Sequence, residues 1–161
     1  MARRSIRRYK PIPVTLAELS ALLAWSAAGM LRPYPPLTGE YGVECCVAVK
    51  EVEGLKAGVY AYEARRHSLT LTVEGSQARR LAFACLGQEW VENASLNLVM
   101  YTLKPDTTAE VEAGMMGQCV YLAATSLRLG TVAIGAFYDD EVASTLKLSG
   151  RPLYVFPVGR P

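Results

Sequence analysis

Apolar and polar positions change rhythm several times along the chain, and each change marks an element. Residues 3–10 are mostly basic, and Pro11 and Pro13 close that run. Leu16, Leu19, Leu22 and Leu23 then recur at helical spacing behind Thr15, with Glu18 three residues on. A threonine hydroxyl and a glutamate at that separation satisfy each other's free backbone N–H groups, so a helix opens at Thr15, with Gly29 as its stop. Residues 32–42 carry three prolines and two glycines, the pattern of an ordered but irregular loop. Residues 43–52 read as a strand. Residues 58–62 and 69–73 alternate with period two and pair as a hairpin across the basic turn Arg65-Arg66-His67-Ser68. Ser76 caps a helix to about residue 86, and residues 96–103 form a strand containing Asn97. The longest helix opens at Thr107 or Thr108 and runs to about residue 129, with Gly130 ending it. Residues 131–137 are a short strand-like run around Gly135, Asp139 or Asp140 caps a helix over 141–148, and 153–158 is the last strand. Helices and strands mix without a regular βαβ rhythm, so the expected class is α+β, in one domain over 1–161.

Composition agrees with a packed domain. The chain is 51% hydrophobic and 20% charged, which supplies a core and excludes disorder. No apolar run is long enough to span a bilayer. The basic start is followed by prolines where a secretion signal would need an apolar stretch, so the expected location is cytoplasmic. Cys45, Cys46, Cys85 and Cys119 form no CxxC pair and have no histidine beside them. They read as reduced, buried thiols and not as a zinc site, with Cys45 and Cys46 facing opposite sides of a strand. The single histidine, His67, falls in a hairpin turn, which leaves Ser-His or Cys-His nucleophilic catalysis little to work with. No GxGxxG follows a strand and no P-loop is present, so neither nucleotide fingerprint is supported. Within the longest helix the stretch from Ala113 to Cys119 is almost uncharged and rich in small residues, so a second helix or a planar ligand can approach it closely.

Charge adds one feature. The net charge is only +2, but Arg3, Arg4, Arg7 and Arg8 cluster around Ser5. If that run is extended, Arg3, Ser5 and Arg7 share a face. Guanidinium forks and a hydroxyl on one side suit a phosphate, because arginine meets phosphate oxygens with paired, charge-assisted hydrogen bonds. Arg160 follows Gly159 at the other end of the chain. Two alternatives stand beside this reading: a solvated basic tail, and a nucleic-acid arm in which Tyr9, Tyr34 and Tyr41 stack on bases. The second ranks low, since a nucleic-acid footprint needs a sustained basic stripe.

Several segments, in order and over nearly the whole chain, resemble the FMN-dependent nitroreductase family, and most closely its branch similar to azoline (thiazole-forming) dehydrogenases. They are the opening Arg-Arg-Ser-Ile-Arg-Arg-Tyr; Leu55-Lys56-Ala57-Gly58-Val59-Tyr60-Ala61-Tyr62-Glu63; Leu86-Gly87-Gln88-Glu89-Trp90-Val91; Glu112-Ala113-Gly114 on to Gln118; Leu129-Gly130-Thr131-Val132-Ala133-Ile134-Gly135-Ala136-Phe137; and the closing Pro157-Val158-Gly159-Arg160-Pro161.

The resemblance implies a mixed sheet flanked by helices and an intertwined homodimer with FMN at the subunit interface. It implies that Arg3, Ser5 and Arg7 hold the FMN phosphate with Arg4 nearby, and that Gly159 and Arg160 return to the same phosphate. It implies that Ile134, Gly135 and Ala136 line the isoalloxazine ring, with a backbone N–H directed at N5. Pro35, Pro36, Leu37, Thr38 and Gly39 would reach the ring from the partner subunit. NAD(P)H would be the donor and a nitroaromatic, a quinone or another small molecule the acceptor, in a ping-pong cycle whose chemistry belongs to the cofactor. No side chain is assigned a catalytic role. Two departures are visible: proline stands at Pro36 where the family carries serine, and the segment between Tyr101 and Glu112 is short. They keep open a second reading, a flavin- or nucleotide-binding protein without turnover.

Overall fold

The alternating runs pair into one six-stranded sheet. In a computed structural model, which describes residues 3–28 and 32–161, its spatial order is β5 (Ser68–Glu74), β4 (Gly58–Glu63), β2 (Glu44–Val49), β6 (Leu96–Thr102), β8 (Arg151–Gly159) and β7 (Gly130–Thr131). Every neighbouring pair in it is antiparallel. The parallel pairing is confined to a separate ribbon, β1 (Val14–Thr15) with β3 (Val52–Glu53).

Strand alternation sorts side chains into two cores. Cys45, Val47 and Val49 of β2, Leu96, Leu98 and Met100 of β6, and Phe156 and Val158 of β8 pack with α1 (Leu16–Ser26) and α4 (Thr107–Ser126). Cys46, Ala48, Val99 and Val155 point the other way, against α2 (Ala78–Ala84), α3 (Glu89–Asn93) and α5 (Asp139–Leu146). The molecule is α+β, with helices on both faces of the sheet. The four cysteines are free and buried. Burial pushes the thiols of Cys45 and Cys85 up to about 12, so they stay protonated and are poor nucleophiles.

Helix ends show what local sequence decides. Glu18 Oε2 accepts from the Thr15 N–H at 2.9 Å while Thr15 Oγ1 accepts from the Glu18 N–H at 3.2 Å, the reciprocal cap expected for α1. The expected stop at Gly29 lies outside the described residues. α4 opens at Thr107, as expected, and Asp106 before it is the cap, accepting from the Ala109 N–H at 2.8 Å. Gly130 does not end that helix. Arg128 adopts the left-handed conformation (φ 56), and Gly130 is needed for space, since a Cβ there would lie 2.7 Å from the Ile6 side chain. The expected strand over 131–137 shrinks to β7 plus one bridge between Ile134 and Val155. The last helix starts at Asp139 with no side-chain cap; three acidic residues in its first turn suit the helix dipole instead. One flank of α4 presents Val111, Gly114, Gln118 and Leu122 to solvent in the single chain, whereas Gly117 packs against Phe156. No helix among the described residues is long and apolar enough to cross a membrane.

Candidate functional site

Two glycines decide where the N-terminal arm lies. Gly130 makes room for Ile6, and at Gly159 a Cβ would sit 3.0 Å from the Tyr9 ring. With those side chains seated, the Ile6 N–H donates to the Thr131 carbonyl at 2.9 Å and the Lys10 N–H to the Arg160 carbonyl at 2.8 Å. Tyr9 Oη lies 2.8 Å from the Ile6 carbonyl and 3.0 Å from the Pro157 carbonyl, and its one hydrogen is shared between them. Burial pushes this phenol well above its ordinary range, so it remains a donor. The arm is thus docked on the β7–β8 edge, and the two chain ends meet.

The polar side chains of the arm diverge. Ser5 Oγ lies 2.9 Å from Tyr121 Oη, and the Arg3 guanidinium lies over the Tyr121 ring, 4.7 Å from its centroid. Arg7 instead lies over Trp90, at 5.7 Å, in a cleft of about 320 Å³ shared with Arg8, Tyr9, Glu89 and Asn93. Arg3 and Ser5 are brought together and Arg7 is not with them, because the arm is not a regular strand and Tyr9 bonds back to the Ile6 carbonyl. Arg4 is exposed. Among the described residues, Arg3, Arg4, Arg7 and Arg8 pair with no carboxylate.

Arg160 differs. It grips both oxygens of Glu18, at 2.8 and 2.9 Å. Burial pushes the Glu18 carboxyl up, but the Thr15 N–H, the Thr15 hydroxyl and Arg160 together outweigh it and hold the group below its ordinary value. A guanidinium has five N–H donors, so this pairing leaves others for an anion.

The residues expected to face a ring follow β7. Ile134 exchanges backbone hydrogen bonds with Val155 at 2.9 and 3.0 Å and is buried. Gly135 and Ala136 are exposed, and among the described residues their N–H groups have no protein acceptor. A Cβ at Gly135 would lie 3.3 Å from the Tyr154 ring. No role was expected for the side chains that hold this edge. Tyr121 Oη accepts the Ala133 N–H at 2.9 Å, and Gln88 Nε2 donates to the Ala136 carbonyl at 3.3 Å. Gln88 and Trp90 lay within a segment already singled out by resemblance; Tyr121 fell on a half-buried position of α4 with no pattern to mark it.

The loop carrying Pro35, Pro36, Leu37, Thr38 and Gly39 lies elsewhere. Pro36 and Gly39 line a cleft of about 590 Å³ with Arg32, Tyr41, Tyr62 and Arg65, and none of Ile134, Gly135 or Ala136 borders it. The loop is anchored by a buried ion pair. Arg32 donates to Glu112 at 2.6 Å, to the Ala27 carbonyl at 3.1 Å and to the Val43 carbonyl at 3.1 Å, and Glu112 also accepts the Gly42 N–H at 2.8 Å. His67 bonds Ser20 and Tyr62, each at 2.7 Å. Ser20 sits inside α1, where its own N–H is bonded within the helix and is not free to serve as an oxyanion donor.

Unpaired guanidiniums and a hydroxyl at one end, and an open glycine-bearing backbone edge with free N–H groups at the other, fit a ligand with a phosphate and a flat ring.

Similarity to known proteins agrees. The family model described as "Nitroreductase family" matches residues 1–160. A Methanocaldococcus jannaschii protein assigned as a nitroreductase is 38% identical, over 98% of this chain and 87% of the relative. A crystallised protein of Anabaena variabilis, also assigned as a nitroreductase, is 30% identical with a TM-score of 0.87; the match covers 99% of this chain, which spans only 36% of that one. An FMN-dependent nitroreductase of Clostridium difficile shares the fold at 19% identity, with a TM-score of 0.69 over 98% of this chain and 83% of its own. The chain belongs to the nitroreductase family of oxidoreductases.

Proposed function

We propose that the protein is an FMN-dependent oxidoreductase that takes electrons from NAD(P)H and passes them to a small acceptor, a nitroaromatic or a quinone, in a ping-pong cycle. The observation that carries this reading is the arm: Arg3 and Ser5 converge on Tyr121, and among the described residues no carboxylate neutralises the arginines. Arg3, Arg4 and Ser5 would hold the phosphate, and Arg7 would join them only by swinging off Trp90; Arg160 would use the donors that Glu18 leaves free, and Gly159 lets Tyr9 seat the arm. Bound FMN supplies the two-electron redox chemistry. The chain supplies binding, orientation and exclusion of water. Ile134, Gly135 and Ala136 form the edge against which a ring can lie without side-chain interference, and the free N–H groups of Gly135 and Ala136 would meet its acceptor atoms.

A homodimer belongs to the same proposal. Val111 and Leu122 are about half exposed on a flank of α4 that also carries Gly114, a surface suited to a second copy. The loop with Pro35, Pro36, Leu37, Thr38 and Gly39 would then approach the edge of the partner subunit. A second reading, flavin binding without turnover, is favoured by Pro36 in that loop and by the connection from β6 to α4, only residues 103–106. Both are tested by the absorbance spectrum of protein incubated with FMN and desalted, then given NADH and NADPH without oxygen. Retained bands that bleach support the first reading. Retained bands that do not bleach support the second, and no retained flavin contradicts both.

A further inference from the structure

Tyr121 stands where the two halves of the candidate site meet. Its phenol oxygen accepts the Ala133 N–H at 2.9 Å and lies 2.9 Å from Ser5 Oγ, and its ring carries the Arg3 guanidinium. A phenol has one hydrogen to give. An anion beside Ser5 can only accept, so Ser5 must point its own hydrogen at the anion. Tyr121 must then give its hydrogen to Ser5. With an anion bound, the bonds would run in one direction, from the Ala133 N–H to Tyr121, from Tyr121 to Ser5, and from Ser5 to the anion, each polarising the next.

We propose that Tyr121 is a positioning residue that couples phosphate recognition at Ser5 and Arg3 to the backbone edge that begins at Ala133. Through it, a phosphate at one end of the site stiffens the edge on which the ring lies. The identity of the anion as the FMN phosphate rests on the function proposed above; the hydrogen-bond chain itself does not.

The test compares wild type with Ser5→Ala, Tyr121→Phe and the double variant. The readouts are amide hydrogen exchange and resonance position of Ala133 in the ligand-free protein, affinities for FMN and for riboflavin, and the thermal midpoint. Tyr121→Phe removes the only protein acceptor of the Ala133 N–H among the described residues, so that amide should exchange about tenfold faster with little change in midpoint. Ser5→Ala, which does not touch Ala133, should still move its resonance. The preference for FMN over riboflavin should fall about tenfold in each single variant and no further in the double, because both break one chain. An Ala133 resonance indifferent to Ser5→Ala, or losses of preference that multiply in the double variant, overturns the proposal. If wild type retains no flavin at all, the proposed function falls, and the response of Ala133 to Ser5→Ala still decides the coupling. If Tyr121→Phe does not fold, Ser5→Ala alone decides it.

Discussion

Two arginine-bearing segments of this chain are opposites. Arg32 is buried, its side chain 4% exposed, and its donors go to Glu112 and two backbone carbonyls while its face covers the Tyr41 ring. The arm holds four arginines that are exposed and have no carboxylate partner among the described residues. A buried charge must be matched inside the protein, because desolvation is too costly otherwise. An exposed, docked cluster of like charges is held apart by water and salt until an anion arrives. One segment therefore uses arginine to fix a loop, and the other leaves arginine open for the phosphate proposed above. Arg160 lies between these cases, paired once with Glu18 and half-open to solvent.

The contrast can be broken in order of expected effect. Glu112→Ala leaves Arg32 buried without its counter-charge and should cost about 3–5 kcal/mol of folding stability, read by urea unfolding; a loss under ~1 kcal/mol would mean that the pair is not the anchor of the loop. Arg3→Ala should leave stability within ~0.5 kcal/mol but weaken FMN binding by about 1.5–3 kcal/mol, the worth of a hydrogen bond to a charged group. Arg160→Ala should lower both quantities, and a loss confined to either one would place Arg160 wholly in one class. Its partner gives a pH signature. Glu18 is held below its ordinary value of 4.5 in the folded protein, so its contribution is present above that value and is lost as pH falls through the lower folded value. Glu18→Gln should flatten the acid limb of a stability–pH curve, and an unchanged limb would remove Glu18 from that role. The smallest effect belongs to Arg151 and Glu110, a pair about half exposed. Glu110→Gln should change stability by ~0.5 kcal/mol or less in a thermal melt, and a larger change would mean that exposure is a poor guide to the worth of these pairs.

What the sequence made legible was local. Thr15 and Glu18 are three residues apart and signal a cap without reference to the rest of the chain. The period-two runs of β4 and β5, and the opposite facing of Cys45 and Cys46, follow from strand geometry alone. Features that depend on distant contacts were not legible. Gly130 looks like a helix stop, yet it serves Ile6, more than a hundred residues earlier. Arg32 and Glu112 are 80 positions apart, and neither residue type announces the other. The five-residue α3 is too short for a helical period to register. At the site, the arginine and serine types were readable, as was the glycine in the 134–136 run. The divergence of Arg7 toward Trp90 and the role of Tyr121 were not, since both arise from how the arm docks on a sheet edge formed at the far end of the chain.

We propose the docked arm as a phosphate site for FMN. It is tested most directly by titrating wild type and Arg3→Ala with FMN at two ionic strengths, following flavin fluorescence. Saturable binding to wild type that weakens with salt is expected, with binding to Arg3→Ala at least tenfold weaker at low salt and less sensitive to it. Equal affinities in the two proteins, with the same salt dependence, would contradict it.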